Sequence, residues 1–279
     1  MTTGIGSVLH NPTAEGSALD TNPRSEDPSS ANVSSTNSCV YIHEFIDIIG
    51  HQRANYMHHM TANWSPGAQE RRGQSCYGVW AVLGSTGRWP QVVNMWEENG
   101  FEGLASSFEA ETVGPGAQDP VLERWWAAAA SFRSGGVDRI MVPRPWSPPI
   151  ATLCSGAGGV VYAHELVKVD WGRAAEVCES ARADGATARA EHGWRLIGAF
   201  TTAMRNDDEA LLLWAIDAWS GWASGEAAHL RDTAVLRWRS SLATLGVRSW
   251  ERILMTDAPL APLRTGRQPR ASDQTDWVG

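Results

Sequence analysis

Two short runs of ionisable side chains stand in the same apolar setting at two places in the chain. Tyr41, His43 and Glu44 precede Phe45, Ile46 and Ile48; Tyr162, His164 and Glu165 precede Leu166, Val167 and Val169. Neighbouring side chains of a strand point to opposite faces, so the His and Glu of one run cannot line the same cavity. With the Glu face turned inward, Glu44 and Glu165 would sit in an apolar enclosure, where desolvation raises a carboxyl pKa towards general acid–base work. With the His face inward, His43 and His164 would do so, titrating near neutral pH without special tuning. A purely structural reading gives the histidines core hydrogen bonds and the glutamates an ion pair with Arg139 or Arg252.

A segment present in only one form adds asymmetry. Downstream of the first run come His51, Arg53, Tyr56, His58 and His59; downstream of the second come Arg173, Glu176 and Cys178, with no histidine until His192. At about 100° per residue, His58 flanks the apolar face of a helix and can reach inward, while His51 and His59 face solvent. His43, Glu44 and His58 are therefore the candidate catalytic residues. Tyr41, Tyr56, Trp80, Trp96, Glu98, His164, Glu165 and Trp214 are candidate substrate contacts. Trp80, Trp96 and Trp214 fall on expected strands, as cavity walls or as core under helices, and Glu97 and Glu98 point to opposite faces.

The remaining chemistry is narrowed by what is missing. Lys168 is the only lysine, which leaves one residue able to form a Schiff base and none for a phosphate-binding GxxxxGK[ST] loop. No HExxH suggests a zinc site, no GxSxG marks a nucleophile, and Gly156-x-Gly158 precedes a strand rather than following one. A formal charge of −8 without a basic cluster argues against nucleic-acid or anionic-membrane partners. The four cysteines lack metal or CxxC spacing, which fits a reduced, cytoplasmic protein. Neither a secretory signal nor a membrane-spanning run is expected.

The elements that would position these residues come in two matching sets. Trp96, Gly103, Ala105 and Ser106 return as Trp214, Gly221, Ala223 and Ser224, and Asp138-Arg139-Ile140-Met141 as Glu251-Arg252-Ile253-Leu254. Collinear echoes with shrinking spacing indicate an internal duplication. Periodicity predicts strands over 39–48, 75–83, 91–98 and 137–143 with helices over 51–71 and 101–133. The second set is strands over 159–169, 195–204, 210–217 and 250–256 with helices over 171–192 and 219–244. The class is α+β: tandem ferredoxin-like units, each β-α-β-β-α-β. Residues 39–149 form the first unit, 150–158 a linker and 159–263 the second, between disordered tails over 1–38 and 264–279. Each unit leaves one sheet face bare, and pairing those faces closes an intrachain barrel.

The Tyr-x-x-Glu strand, a helix, Gly78-Val79-Trp80, then Val92-Val93-Asn94-Met95-Trp96 resembles the NIPSNAP-like branch of the dimeric α+β barrel superfamily. Unit two departs with Gly198-Ala199-Phe200. The resemblance implies the barrel fold, and a relationship to cofactor-free monooxygenases, cyclases, lactone isomerases and haem-binding enzymes. The leading expectation is an enzyme without a redox cofactor, performing acid–base isomerisation, cyclisation or elimination on an apolar carbonyl compound in a barrel cavity. Alternatives are an oxygen-using enzyme, either cofactor-free or with haem on His43, His58, His164 or His192, and a non-catalytic binding or scaffold protein. Trp125, Trp126 and Trp238 on the outer helices suggest a homodimer contact.

Overall fold

The computed structural model describes residues 36–114 and 116–274. The tail expected over residues 1–38 lies outside them apart from its last three positions, and Asn37 there is anchored, donating to the Tyr41 hydroxyl and the Ser147 carbonyl. Unit one runs β1 (Val40–Ile48), α1 (Arg53–His58), a π-helical segment (His59–Trp64), α2 (Ser65–Arg72), β2 (Ser75–Val82), β3 (Gln91–Glu98), α3 (Gly100–Glu111), α4 (Pro120–Ala129) and β4 (Arg133–Pro143). A short α5 (Ile150–Leu153) follows. Unit two repeats the order with β5 (Val161–Lys168), α6 (Ala174–Ser180), a π segment (Ala181–Gly185), α7 (Ala186–Ala190), β6 (Trp194–Thr202), β7 (Glu209–Ile216), α8 (Trp219–Arg231), α9 (Thr233–Ser241) and β8 (Ser249–Asp257). A final turn, α10 (Pro262–Thr265), ends the second unit. Among the described residues no helix is long and apolar enough to cross a membrane.

Local chemistry sets the boundaries. Asp119 and Asp232 cap α4 and α9, accepting from backbone N–H groups of the first turn. Gly73, at φ 68°, ends α2 in the left-handed region that a β-carbon disfavours. A bulge between Cys76 and Gly78 in β2 recurs between Leu196 and Gly198 in β6, a mark of the duplication.

The eight strands close in the order β1-β3-β2-β8-β5-β7-β6-β4. Within each unit all pairs are antiparallel, and the closing pairs, β2 with β8 and β4 with β6, join the units. The bare sheet faces thus become one interior, filled by Tyr41, Tyr77, Trp80, Met95, Tyr162, Phe200, Leu211 and Met255 among others. At about 25 cal/mol per Å² of apolar surface removed from water, that shared interior is what couples the two units. The helices cover the outer faces as two further cores, one per unit.

Three expectations change. The linker is a plug: Ile150 and Leu153 enter the interior, and the Ile150 N–H donates to Glu97 at 2.8 Å. The described part of the expected C-terminal tail is also ordered. Arg267 pairs with Asp273, and the Gln268 amide pairs with both backbone groups of Cys76, filling the gap that the bulge leaves in the ladder; just before this segment, Leu263 enters the interior. Lastly, the echo around Asp138 is offset by one residue from the structural match. Glu44 faces Asp138 across β1–β4 whereas Glu165 faces Arg252 across β5–β8, so Asp138 corresponds to Arg252 and not to Glu251.

Candidate functional site

The strand alternation resolves with the histidines inside and the glutamates outside, beneath the helices. Glu44 lies on the outer face of β1, where Oε2 accepts from Trp96 Nε1 at 2.8 Å and from Asn94 Nδ2 at 2.9 Å. The same Asn94 amide donates to the Tyr56 hydroxyl at 2.8 Å, which ties α1 to the strand pair. Asn94 is fully buried, and its Oδ1 has no donor among the described residues. Glu44 itself is half-buried, and it lines a cavity of about 150 Å³ between the sheet and the unit-one helices. The walls include Trp64, Trp96, Trp125, Trp126 and Met60, with Asp138 and Arg133 from β4 on the same side. An open groove of about 300 Å³ lined by Arg139, Ile140 and residues 202–205 shares Ile42, Phe108 and Asp138 with it.

The cavity's charges sit at its partly open side: Glu44 and Arg133 are half-buried and Asp138 is exposed. Burial raises the Glu44 carboxyl above its ordinary pKa, and the neighbouring Asp138 raises it further, against the hydrogen bonds from Asn94 and Trp96 and the charge of Arg133. Asp138 is also raised by burial, with Arg133 and Arg139 opposing. Arg133 lies 3.8 Å from the Trp126 ring centre, stacked over it. Two adjoining carboxyls, both shifted upward from the ordinary carboxylate range, beside an aromatic cavity are groups of the type that give and take protons.

Unit two holds the contrasting arrangement. Glu165 accepts from Trp214 as Glu44 does from Trp96, but it is fully buried under two guanidinium groups, Arg189 at 2.9 and 3.0 Å and Arg252 at 2.5 Å. Burial alone would raise its pKa; the two arginines overrule it and hold the carboxyl well below the usual range. Glu165 and Trp214, predicted as substrate contacts, are therefore parts of a closed ion-pair core. The ion pair expected between Glu165 and Arg252 thus forms, whereas that of Glu44 with Arg139 does not, because Arg139 points inward and donates to Glu209 of unit two at 2.8 Å.

Inside the barrel, His43 and His164 meet with their Nε2 atoms 2.8 Å apart, both buried among packed rings. Burial, their mutual repulsion and Arg139 push the His43 pKa down, and burial takes His164 to about 3, so the pair is neutral and shares one proton in a hydrogen bond. Tyr41 donates to Glu97 at 2.8 Å there, and Trp80 packs against Tyr77 and Tyr162. The expected barrel cavity is thus occupied by its own side chains at these positions.

Of the predicted residues, the structure brings Glu44, Tyr56 and Trp96 together at the outer cavity and gathers Tyr41, His43, Trp80 and His164 in the interior. Glu98 is buried beside the cavity and accepts from Gln74 at 2.7 Å. His58 is buried at the end of α1 but does not line the cavity. His59, expected in solvent, is buried because the α3–α4 hairpin lies over it, and its ring stacks on Trp125 at 4.9 Å. The tryptophans expected to mediate a dimer are engaged within the chain: Trp125 with His59 and Trp64, Trp126 under Arg133, and Trp238 against Trp214 and Trp250. Sequence reasoning missed Asp138, Arg133, Asn94, Trp64 and Gln74; the one available signal was the β-register of Asp138. A haem does not fit at His43 or His164, whose rings are enclosed by packed side chains of the barrel interior.

No protein-family model and no curated protein matches the sequence. Solved structures do. A Lactobacillus acidophilus protein described as a "putative monooxygenase" is 8% identical, with 81% of this chain and 97% of that chain covered at a TM-score of 0.53. An anthrone oxidase-like protein is 9% identical, with 79% and 92% covered, also at 0.53. A NIPSNAP family protein of Agrobacterium tumefaciens is 19% identical over 38% of this chain and 94% of its own, at 0.33. The chain forms a closed α+β barrel in which one polypeptide supplies both ferredoxin-like units, a fold it shares with the first two of these structures.

Proposed function

We propose that the protein is a small-molecule enzyme whose unit-one cavity binds one ring-sized group and whose Glu44–Asp138 pair moves a proton on it. One observation carries this reading. The corresponding glutamate is fully buried and neutralised by two arginines in unit two, and is half-buried beside a second carboxyl, facing a cavity, in unit one. Structural need alone would act on both copies alike. Trp96 and Asn94 hold Glu44 Oε2, which leaves Oε1 as the oxygen open to the cavity, while Asp138, at the join between cavity and groove, is placed to exchange its proton with solvent. The chemistry available is proton abstraction and return, hence isomerisation, cyclisation or elimination next to an activating group. The free cysteines suit a reduced, cytoplasmic setting.

A second reading draws support from the names of the two larger structures that share the fold. Removing a proton from an activated C–H is also the first step by which a substrate carbanion can react directly with dioxygen. The two readings separate experimentally. Bound ring compounds with acidic C–H groups are incubated with the protein in D₂O, and NMR follows deuterium incorporation while an oxygen electrode follows consumption. Exchange that is lost in Glu44→Gln and Asp138→Asn supports the acid–base assignment, and concurrent oxygen uptake selects the oxygenase. If both variants exchange as fast as the wild type, the assignment is wrong.

A further inference from the structure

Unit two shows what kind of group this site accommodates. The register of β1 and β5 equates Glu44 with Glu165, and that of β3 and β7 equates Trp96 with Trp214. The helix caps Asp119 and Asp232 equate Trp125 with Trp238. The π segments end at Trp64 and Gly185, which places Ala68 where unit two has Arg189. In unit two the Arg189 guanidinium fills this space. It forms two hydrogen bonds to Glu165 and lies 4.5–4.8 Å from the ring centres of Trp194, Trp214 and Trp238. In unit one the carboxylate and two of those tryptophan positions are kept, the arginine is replaced by a fully buried alanine, and a cavity stands alongside.

Charge points the same way. Four charged residues line the cavity: Glu44, Asp138, Glu111 and Arg133. Glu111 is ion-paired with Arg72, and Arg139 is committed to Glu209, which leaves two carboxyls facing one guanidinium. In unit two, Glu165 and Glu226 face Arg189 and Arg252, which balances. Behind Glu44, the fully buried Asn94 Oδ1 has no donor among the described residues, although Asn94 does not itself line the cavity.

We propose that the unit-one cavity binds a small organic monocation, an amine or amidine on a ring-sized body, with its positive head against Glu44 and Trp96 where unit two places its own Arg189. The inference rests on reading the cavity as the substrate site, and it names the substrate class. Glu44 then anchors the head through a charge-assisted hydrogen bond, the tryptophans add cation–π attraction, and Asp138 remains to move the proton on a carbon that the cationic nitrogen acidifies.

The full-length protein is titrated with benzylammonium and benzamidinium, with their neutral counterparts benzyl alcohol and toluene, and with benzoate, by calorimetry and ligand-observed NMR. The cations are expected to bind at least about tenfold more tightly than the neutral probes. Glu44→Gln should remove that preference while leaving toluene binding intact, which also shows that the variant is folded. Ala68→Arg should supply the head group internally and abolish cation binding; should it fail to fold, Asp138→Asn serves instead, reducing the cation preference by removing the surplus charge. If neutral probes or benzoate bind as well as the cations, the cation proposal is overturned and the cavity reading survives. If no probe binds, both fall.

Discussion

Replacing Glu165 and Glu44 separately by glutamine should have opposite effects on stability. Glu165→Gln leaves Arg189, whose side chain is 1% exposed, without its carboxylate, while Arg252 retains Glu226 at 2.8 Å. Breaking a buried pair costs about 3–5 kcal/mol, and with one of the two arginines still partnered the lower end applies, about 3 kcal/mol. For a domain of this size each kcal/mol is worth about 2–4 °C, so the midpoint should fall by roughly 6–12 °C. Glu44→Gln keeps an oxygen for Trp96 and Asn94 and removes a carboxyl whose pKa is raised by burial and by Asp138. A carboxyl with a raised folded pKa binds its proton more tightly when folded. Its stabilising contribution is complete below the unfolded pKa, about 4.3, and is lost as pH rises through the folded value. Glu44→Gln should therefore lose no more than about 0.5 kcal/mol at pH 8. Relative to wild type it should gain as pH rises above the unfolded pKa, about 4.3, and level off once the raised folded pKa has been passed. Urea denaturation followed by tryptophan fluorescence and circular dichroism at several pH values measures both, and coincidence of the two probes checks the two-state assumption. If Glu44→Gln is as destabilising as Glu165→Gln at pH 8, Glu44 is an ion-pair partner and the candidate site dissolves.

Two further outcomes test the barrel. Burial lowers the pKa values of both His43 and His164, so the unfolded chain binds more protons than the native one once pH drops below about 6.5, and stability must decline from there towards pH 3; His164→Phe should flatten that decline, and an unchanged slope in urea titrations from pH 7 to pH 4 would show the interior pair to be protonated or open. Gln268→Ala strips both partners from the buried Cys76 backbone and should cost about 1–3 kcal/mol by denaturant midpoint, with the m-value unchanged; a loss below 0.5 kcal/mol would mean that this segment lies on the bulge without supporting it.

The duplication, the β-α-β-β-α-β order and the intrachain barrel were legible because they depend on periodicity and on a repeated pattern, which a sequence displays directly. That His43 and Glu44 face opposite ways was legible too. Which of them faces inward was not, since closure by β2–β8 and β4–β6 decides it and both pairs are contacts between units. The interior filled because the plug residues Ile150 and Leu153, and Leu263 after the last strand, come from segments with no periodic signal.

The site turned on a slip of one residue. Asp138-Arg139 and Glu251-Arg252 look like one motif in two copies, yet a strand shifted by one position exchanges its faces. Arg139 consequently points into the barrel towards Glu209, Arg252 points outward onto Glu165, and Glu44 receives Asp138 as its neighbour. Both halves retain the Tyr-x-His-Glu run, so the run alone says nothing about where chemistry could occur. Its counter-charges differ: two arginines hold Glu165 as an anion locked in a core, whereas Glu44 has Asp138 across the strand and lines the cavity. A duplicated fold can in this way keep one copy as scaffold and free the other, with the difference written in the residues across the strand and not in the motif itself.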